Sequence, residues 1–150
     1  MTTDIQLSHQ ESLHRQVVRS YFHQVLDQGN VELIEDLFHP RCVMHRPGGT
    51  VGGLDAVRDV VAHRKETFSQ FGTEIHDIFG SGDRVVARLT HRGVGGGTWR
   101  SRLGSYDIRG KTVTWNAIAI FRFDEDKIIE EWVTRDELGV ILQLGIFQTA

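Results

Sequence analysis

Residues 118–136 read IAIFRFDEDKIIEEWVTRD: an apolar run from Ile118 to Phe123, a charged turn over Asp124 to Lys127, and a second stretch from Ile128 that closes on Asp136. Two period-two segments on either side of a short polar turn spell a β-hairpin. Extended upstream, the first arm becomes a strand over Lys111 to Phe123, and the second covers Lys127 to Arg135. On the first arm Thr114, Asn116, Ile118, Ile120 and Arg122 share one face. Val113, Trp115, Ala117, Ala119, Phe121 and Phe123 share the other, so both faces are substantially apolar. Pairing Arg122 opposite Ile128 puts Glu130, Trp132, Thr134 and Asp136 on the Arg122 face, whereas a slip of one residue sends Arg122 and Asp136 to opposite faces.

Working back from the hairpin, Glu74 to Phe79, Arg84 to Arg92 and Thr98 to Ile108 also read as strands. They are separated by turn signals at Gly80-Ser81-Gly82-Asp83, Gly95-Gly96-Gly97 and Arg109-Gly110. Before Gly72 the period is helical. Leu13, Val17, Tyr21 and Val25 line one face of a helix that ends at Gly29-Asn30. A shorter helix over Val31 to Phe38 is stopped by His39-Pro40. A weakly alternating strand over Cys42 to Arg46 and a glycine-rich loop follow. The third helix starts near Leu54, with Leu54, Val57, Val60, Val61, Phe68 and Phe71 on its apolar side. An amphipathic, Leu-rich segment closes the chain. Helices first and strands afterwards predict one α+β domain over 1–150, with the helices on one face of a curved, mainly antiparallel sheet.

Seventeen Lys and Arg against twenty Asp and Glu give a net charge of −3, with the basic residues scattered, which argues against nucleic acid as a partner. Cys42 is the only cysteine. That excludes an internal disulfide, and with no leader pattern over Met1 to Gln10 it predicts a reducing, cytoplasmic setting. No apolar run approaches the ~20 residues that span a bilayer, so no membrane partner is expected. His9 and His14, or His39 and His45, lack the spacing of zinc-enzyme motifs, and no metal site is predicted.

The order of elements, together with Gly110-Lys111-Thr112-Val113, Phe121-Arg122-Phe123, Glu130-Glu131-Trp132-Val133-Thr134-Arg135-Asp136 and Gln143-Leu144-Gly145, resembles the SnoaL-like polyketide cyclase (ester cyclase) family over about Val17 to Phe147. The resemblance implies the cone-shaped α+β barrel of the nuclear-transport-factor-two-like superfamily. It also implies cofactor-free intramolecular aldol ring closure of a hydrophobic carbonyl compound, with Asp136 as the acid/base. An apolar wall of Trp132, Ile118 and Ile120 would strengthen such a base. Asp136 reads equally as the N-cap of the last helix.

Arg122 stands where the aldol cyclases tend to have a histidine. A permanent cation stabilises an enolate oxygen instead of donating a proton, unless it merely pairs with Glu130 or Asp136. His45 matches a cavity-facing histidine of the relatives, and an imidazole is a side-chain type suited to proton transfer. Tyr21, His91, Asn116 and Thr134 complete the expected substrate contacts. Among the aromatic residues Tyr21 stands out, because the first helix covers the open side of the cone in this fold. The triple glycine replaces a Gly-Thr-His element common in the family. Two other functions stay open. One is a non-catalytic small-molecule binding module. The other is epoxide opening on the same fold, which needs two carboxylates bridged by an arginine, with the inward acid expected near Val133. An outer face carrying Trp115 and Phe121 predicts a homodimer or homotetramer.

Overall fold

The computed structural model describes residues 4–146, with side chains from Ser8 onward; Met1 to Thr3 of the leader reading and Phe147 of the resemblance lie outside that range. The hairpin at 118–136 is the middle of a six-stranded sheet of order β2-β1-β8-β7-β4-β3. Its strands are β1 (Phe38–Arg46), β2 (Gly49–Gly52), β3 (Phe68–Ser81), β4 (Arg84–Gly95), β7 (Thr112–Asp124) and β8 (Lys127–Arg135). Only β1 and β8 run parallel; the other pairs are antiparallel. The helices are α1 (Asp4–Ser20), α2 (Ile34–Leu37), α3 (Leu54–Thr67) and α4 (Glu137–Gln143).

The first helix buries Val17, Val18, Tyr21, Phe22, Val25 and Leu26. After Ser20 it widens into a π-helix over Tyr21–Asp27, a local loosening that recurs at functional sites. His14 pins this helix to the β7–β8 turn: Nε2–H donates to the carbonyl of Glu125 at 2.6 Å, and the ring stacks on Phe123 at 4.0 Å. Phe38 and Phe121 are fully buried, each removing apolar surface worth about 1.5–3 kcal/mol.

Five expected elements differ. The helix expected over Val31 to Phe38 is a 3-10 turn, Val31–Leu33, followed by the single turn of α2. The next strand starts at Phe38 and passes through Pro40, because the β1–β8 ladder is irregular between Phe38 and Val43 and asks no N–H of the proline. The glycine-rich loop contains β2, an edge strand. Phe68 and Phe71 belong to β3, not to α3. The strand expected over Thr98 to Ile108 is a separate hairpin of β5 (Thr98–Ser101) and β6 (Gly104–Asp107). The triple glycine lets three chain segments meet: a Cβ on Gly95 would fall 1.8 Å from the Ile108 carbonyl oxygen, and one on Gly97 2.5 Å from that of Glu66.

The two faces of β7 are reversed from expectation. Trp115 and Phe121, expected outside, are 7% and 0% exposed on the concave side that α1 and α3 cover; Ile118, expected in a pocket, is 51% exposed on the convex side. The patch on which the dimer expectation rested is therefore interior. Arg122 pairs with Glu130, not Ile128, while Phe123 pairs with Ile128, so Ile129 is an unpaired bulge residue. The bulge shifts the parity of β8. Ile128 and Glu131 both face the core, and Glu130, Trp132 and Thr134 face outward with Arg122.

Candidate active site

Beyond the bulge, β8 sends Glu131, Val133 and Arg135 inward. Glu131 is 2% exposed, and its Oε1 accepts from Arg46 Nη1 at 3.3 Å. Burial raises its pKa above the ordinary carboxylate value, against the opposing pull of Arg46, Arg64 and Arg135. Glu131 thus combines a location out of water with a proton affinity suited to a base.

Around it lies a void of about 10 Å³, walled by Tyr21, Arg64, His91, Ala117 and Ala119 among others, room for about one water. The two alanines of β7 leave that space. The Tyr21 hydroxyl and Arg64 Nη1 are buried without hydrogen-bond partners. Burial, and then the Glu131 charge, push the Tyr21 phenol far up, so it stays protonated and keeps an O–H to donate. Arg64 rests over the rings of Phe71 and Trp115 at 4.3 and 5.7 Å. Burial pulls its pKa down to about 9, which leaves it charged at neutral pH. Two unsatisfied donors beside a buried carboxylate form an arrangement that can hold a developing oxyanion while the carboxylate moves a proton.

His91 stands on β4 opposite Trp115. Burial holds its pKa well below the usual histidine value, so it is neutral at pH 7. Thr73 Oγ1 donates to Asp27 Oδ1 at 2.7 Å and lies 2.8 Å from His91 Nδ1. The threonine proton being spent on the carboxylate, Nδ1–H donates to Thr73, and Nε2 is left as an acceptor.

Above the void a cleft of about 420 Å³ opens between the ends of β1 and β8, the β5–β6 hairpin and the start of α4. His45, Arg46, Arg102, Trp132, Thr134 and Arg135 contribute to its walls. Arg46 and Val133 border both cleft and void, and Arg135 and Glu137 border both the cleft and a further 20 Å³ void beside Trp115. The Arg46–Glu131 ion pair is therefore part of the partition between cleft and interior.

The sequence profile of SnoaL-like polyketide cyclases matches residues 16–144. The chain belongs to that family. Among solved structures, the SnoaL-like domain superimposes on TsrD of Streptomyces laurentii with a TM-score of 0.79 at 22% identity, covering 91% of this chain and 97% of that one. A protein of Jannaschia sp. CCS1, described as a SnoaL-like polyketide cyclase, gives 0.80 at 18% identity, covering 93% and 96%. An epoxide hydrolase of the limonene-epoxide-hydrolase-like type from M. tuberculosis gives 0.70 at 14%, covering 91% and 92%. These superpositions show a shared cone fold. No curated protein matches the sequence.

Within this SnoaL-like cone, the residues singled out from sequence fall into four places. Tyr21 and His91 line the interior void, and His45, Trp132 and Thr134 line the cleft. Asn116, Ile118, Ile120 and Arg122 lie on the convex face, where Arg122 and His45 both bind Glu130, at 3.0 and 2.7 Å. Asp136 is exposed and caps α4, accepting from Gly139 N at 2.9 Å, so the capping alternative describes its geometry. Asp136→Ala is expected to cost about 1 kcal/mol and to lower the melting temperature by about 3 °C, with catalysis unaffected; a thermal melt beside an activity assay checks both. Glu131, Arg46, Arg64 and Arg135 escaped the sequence reading. The one local signal for Glu131 was the pair Ile128-Ile129, which gives a strand room for a bulge.

Proposed function

We propose that the chain is a cofactor-independent enzyme that enolises a hydrophobic carbonyl compound and closes a ring by intramolecular aldol addition, with Glu131 as the acid/base. The observation that carries this reading is the pairing, in one water-excluded site, of a buried carboxylate of raised pKa with two donors that lack acceptors. Glu131 would take a proton from carbon next to the substrate carbonyl. Tyr21 and Arg64 would hold the enolate oxygen, and neutral His91 would offer Nε2 to a substrate hydroxyl. The enolate carbon then bonds to a second carbonyl carbon, and the resulting alkoxide recovers the proton from Glu131, so the enzyme returns unchanged. The cleft volume falls in the small-molecule range of about 300–1,000 Å³, whereas the void admits no ligand body. The rings would therefore lie in the cleft, and the carbonyl would reach Glu131 by parting it from Arg46. Family membership agrees with a cyclase or isomerase chemistry.

The test is exchange of the methyl protons of 2-acetonaphthone in deuterated buffer, followed by NMR. Because the base must be ionised, the catalysed rate should rise with pH through a value above the ordinary carboxylate range, in keeping with the raised Glu131 pKa. No acceleration at any pH would favour the binding-module reading.

Epoxide opening is the second reading, favoured by Glu131 itself: an inward acid does stand on the last strand, at 131 in place of the expected 133. Asp27 and Glu131 both act on Arg64 through their charges. Among the described residues, however, Arg64 forms no ion pair with either, so the carboxylate–arginine–carboxylate bridge is open.

A further inference from the structure

The mouth of the cone is charged against the sign of the chain. The sequence carries a net charge of −3, yet three arginines, Arg46, Arg102 and Arg135, wall the cleft, with Glu137 as its one carboxylate. Arg46 is paired with Glu131 and Arg102 with Glu137. Among the described residues Arg135 has no ion-pair partner; it is half-buried on the cleft wall, and burial lowers its pKa to about 10. Behind it Arg64 repeats the pattern, 8% exposed with Nη1 unpartnered. A guanidinium kept from water without an acceptor is costly to a folded chain. Arg64 borders the interior void and Arg135 the cleft, so the acceptor that Arg135 lacks belongs to a ligand in the cleft. Beside Arg135 the cleft is walled by Val133 and by Trp132, whose ring already stacks with His45 at 5.4 Å and carries the Arg84 guanidinium at 5.4 Å, which leaves apolar surface for a hydrocarbon body to lie beside rather than a free ring face.

We propose that the substrate is an anion, an aromatic or polycyclic carboxylate whose carboxylate docks on Arg135 at the mouth while its body lies along Trp132 and Val133. This deepens the reading of the cone as the reaction site and rests on it: the charged end stays at the mouth and the carbonyl end points toward Glu131. A guanidinium fork matches a planar carboxylate through two parallel hydrogen bonds, which a neutral amide or ester cannot accept with equal strength.

Isothermal titration with 2-naphthoate and its neutral isostere 2-naphthamide tests the proposal. The carboxylate should bind at least about 10-fold more tightly, as expected for a charge-assisted pair over a neutral one. Arg135→Gln should erase the difference while leaving naphthamide binding in place. Arg135→Lys, which keeps the charge, should retain part of it and guards against a misfolded Gln variant. Arg122→Gln, on the convex face, should retain all of it. Equal affinity for the two ligands, no binding of either at millimolar concentration, undiminished discrimination in Arg135→Gln, or displacement of naphthoate by equimolar inorganic phosphate would each overturn the proposal. Preference for naphthoate without catalysed proton exchange would sink only the acid/base reading. Exchange without the preference would sink only the carboxylate.

Discussion

Glu131→Gln is expected to slow catalysed exchange by about 10² to 10⁴, the usual worth of a positioned general base, with the protein still folded. The substitution keeps the side-chain volume and an acceptor oxygen for Arg46, which lies 3.3 Å away, so the partition between cleft and void stays closed. It also removes a carboxylate whose ionised form burial opposes. The melting temperature should accordingly move by only a few degrees. The sign is fixed by linkage. A carboxyl group whose folded pKa is raised weakens the fold as pH climbs from its unfolded pKa through the folded one, so the variant should lose less stability than the native chain over that window. Melts at pH 4 and pH 7 read this difference. An unchanged exchange rate in a folded Glu131→Gln protein would remove Glu131 from the chemistry.

Arg64→Met should separate function from stability in opposite directions. The methionine occupies similar space beside Phe71 and Trp115 but brings no charge. Replacing a buried, unpartnered guanidinium by an apolar side chain is expected to leave stability unchanged or to raise it by about 1–4 kcal/mol, less about 1 kcal/mol for the lost contact with the Phe71 ring at 4.3 Å. Exchange should nevertheless fall by about 10² to 10³, the cost of removing one oxyanion donor. A destabilising group kept for its chemistry is the pattern expected of a catalytic site. A large loss of stability with a normal rate in the folded fraction would instead make Arg64 a structural residue.

Most of the architecture was legible because it is written in local periods. Leu13, Val17, Tyr21 and Val25 repeat at helical spacing, and the arms on either side of Asp124 to Lys127 repeat at two. Each pattern points to its element without knowledge of the rest of the chain. Boundaries failed where the same residue serves two patterns: Phe68 and Phe71 continue the apolar side of α3 in sequence but sit in β3. The Thr98 to Ile108 stretch was read as one strand, yet its apolar residues change parity between Leu103 and Tyr106 and it folds back on itself with Leu103, 62% exposed, at its turn.

The site was legible only in part, and the reason lies in β7 and β8. Asn116, Ile118, Ile120 and Arg122 were read correctly as one face, with Glu130, Trp132 and Thr134 beside them, but a period of two carries no sign. Both faces of β7 are apolar enough to be core. The choice between them is made by α1 and α3, which cover the face bearing Ala117, Ala119 and Phe121, and by α4, which packs with Trp115. At Ile129 a single bulged residue then turns Glu131 inward and leaves Trp132 facing outward at the cleft.

The amino-acid sequence by itself determined the helices-then-strands order, the hairpin at 118–136, the family and the suitability of Asp136 as a cap, all properties of contiguous residues. Tertiary structure alone decided that Tyr21, Arg46, Arg64, His91, Glu131 and Arg135 converge. These residues come from the π-turn, β1, α3, β4 and β8, and what makes them a site is their convergence around one buried region in which Tyr21 and Arg64 keep atoms without partners. Those are properties of the packed surfaces around a side chain, which no local pattern encodes.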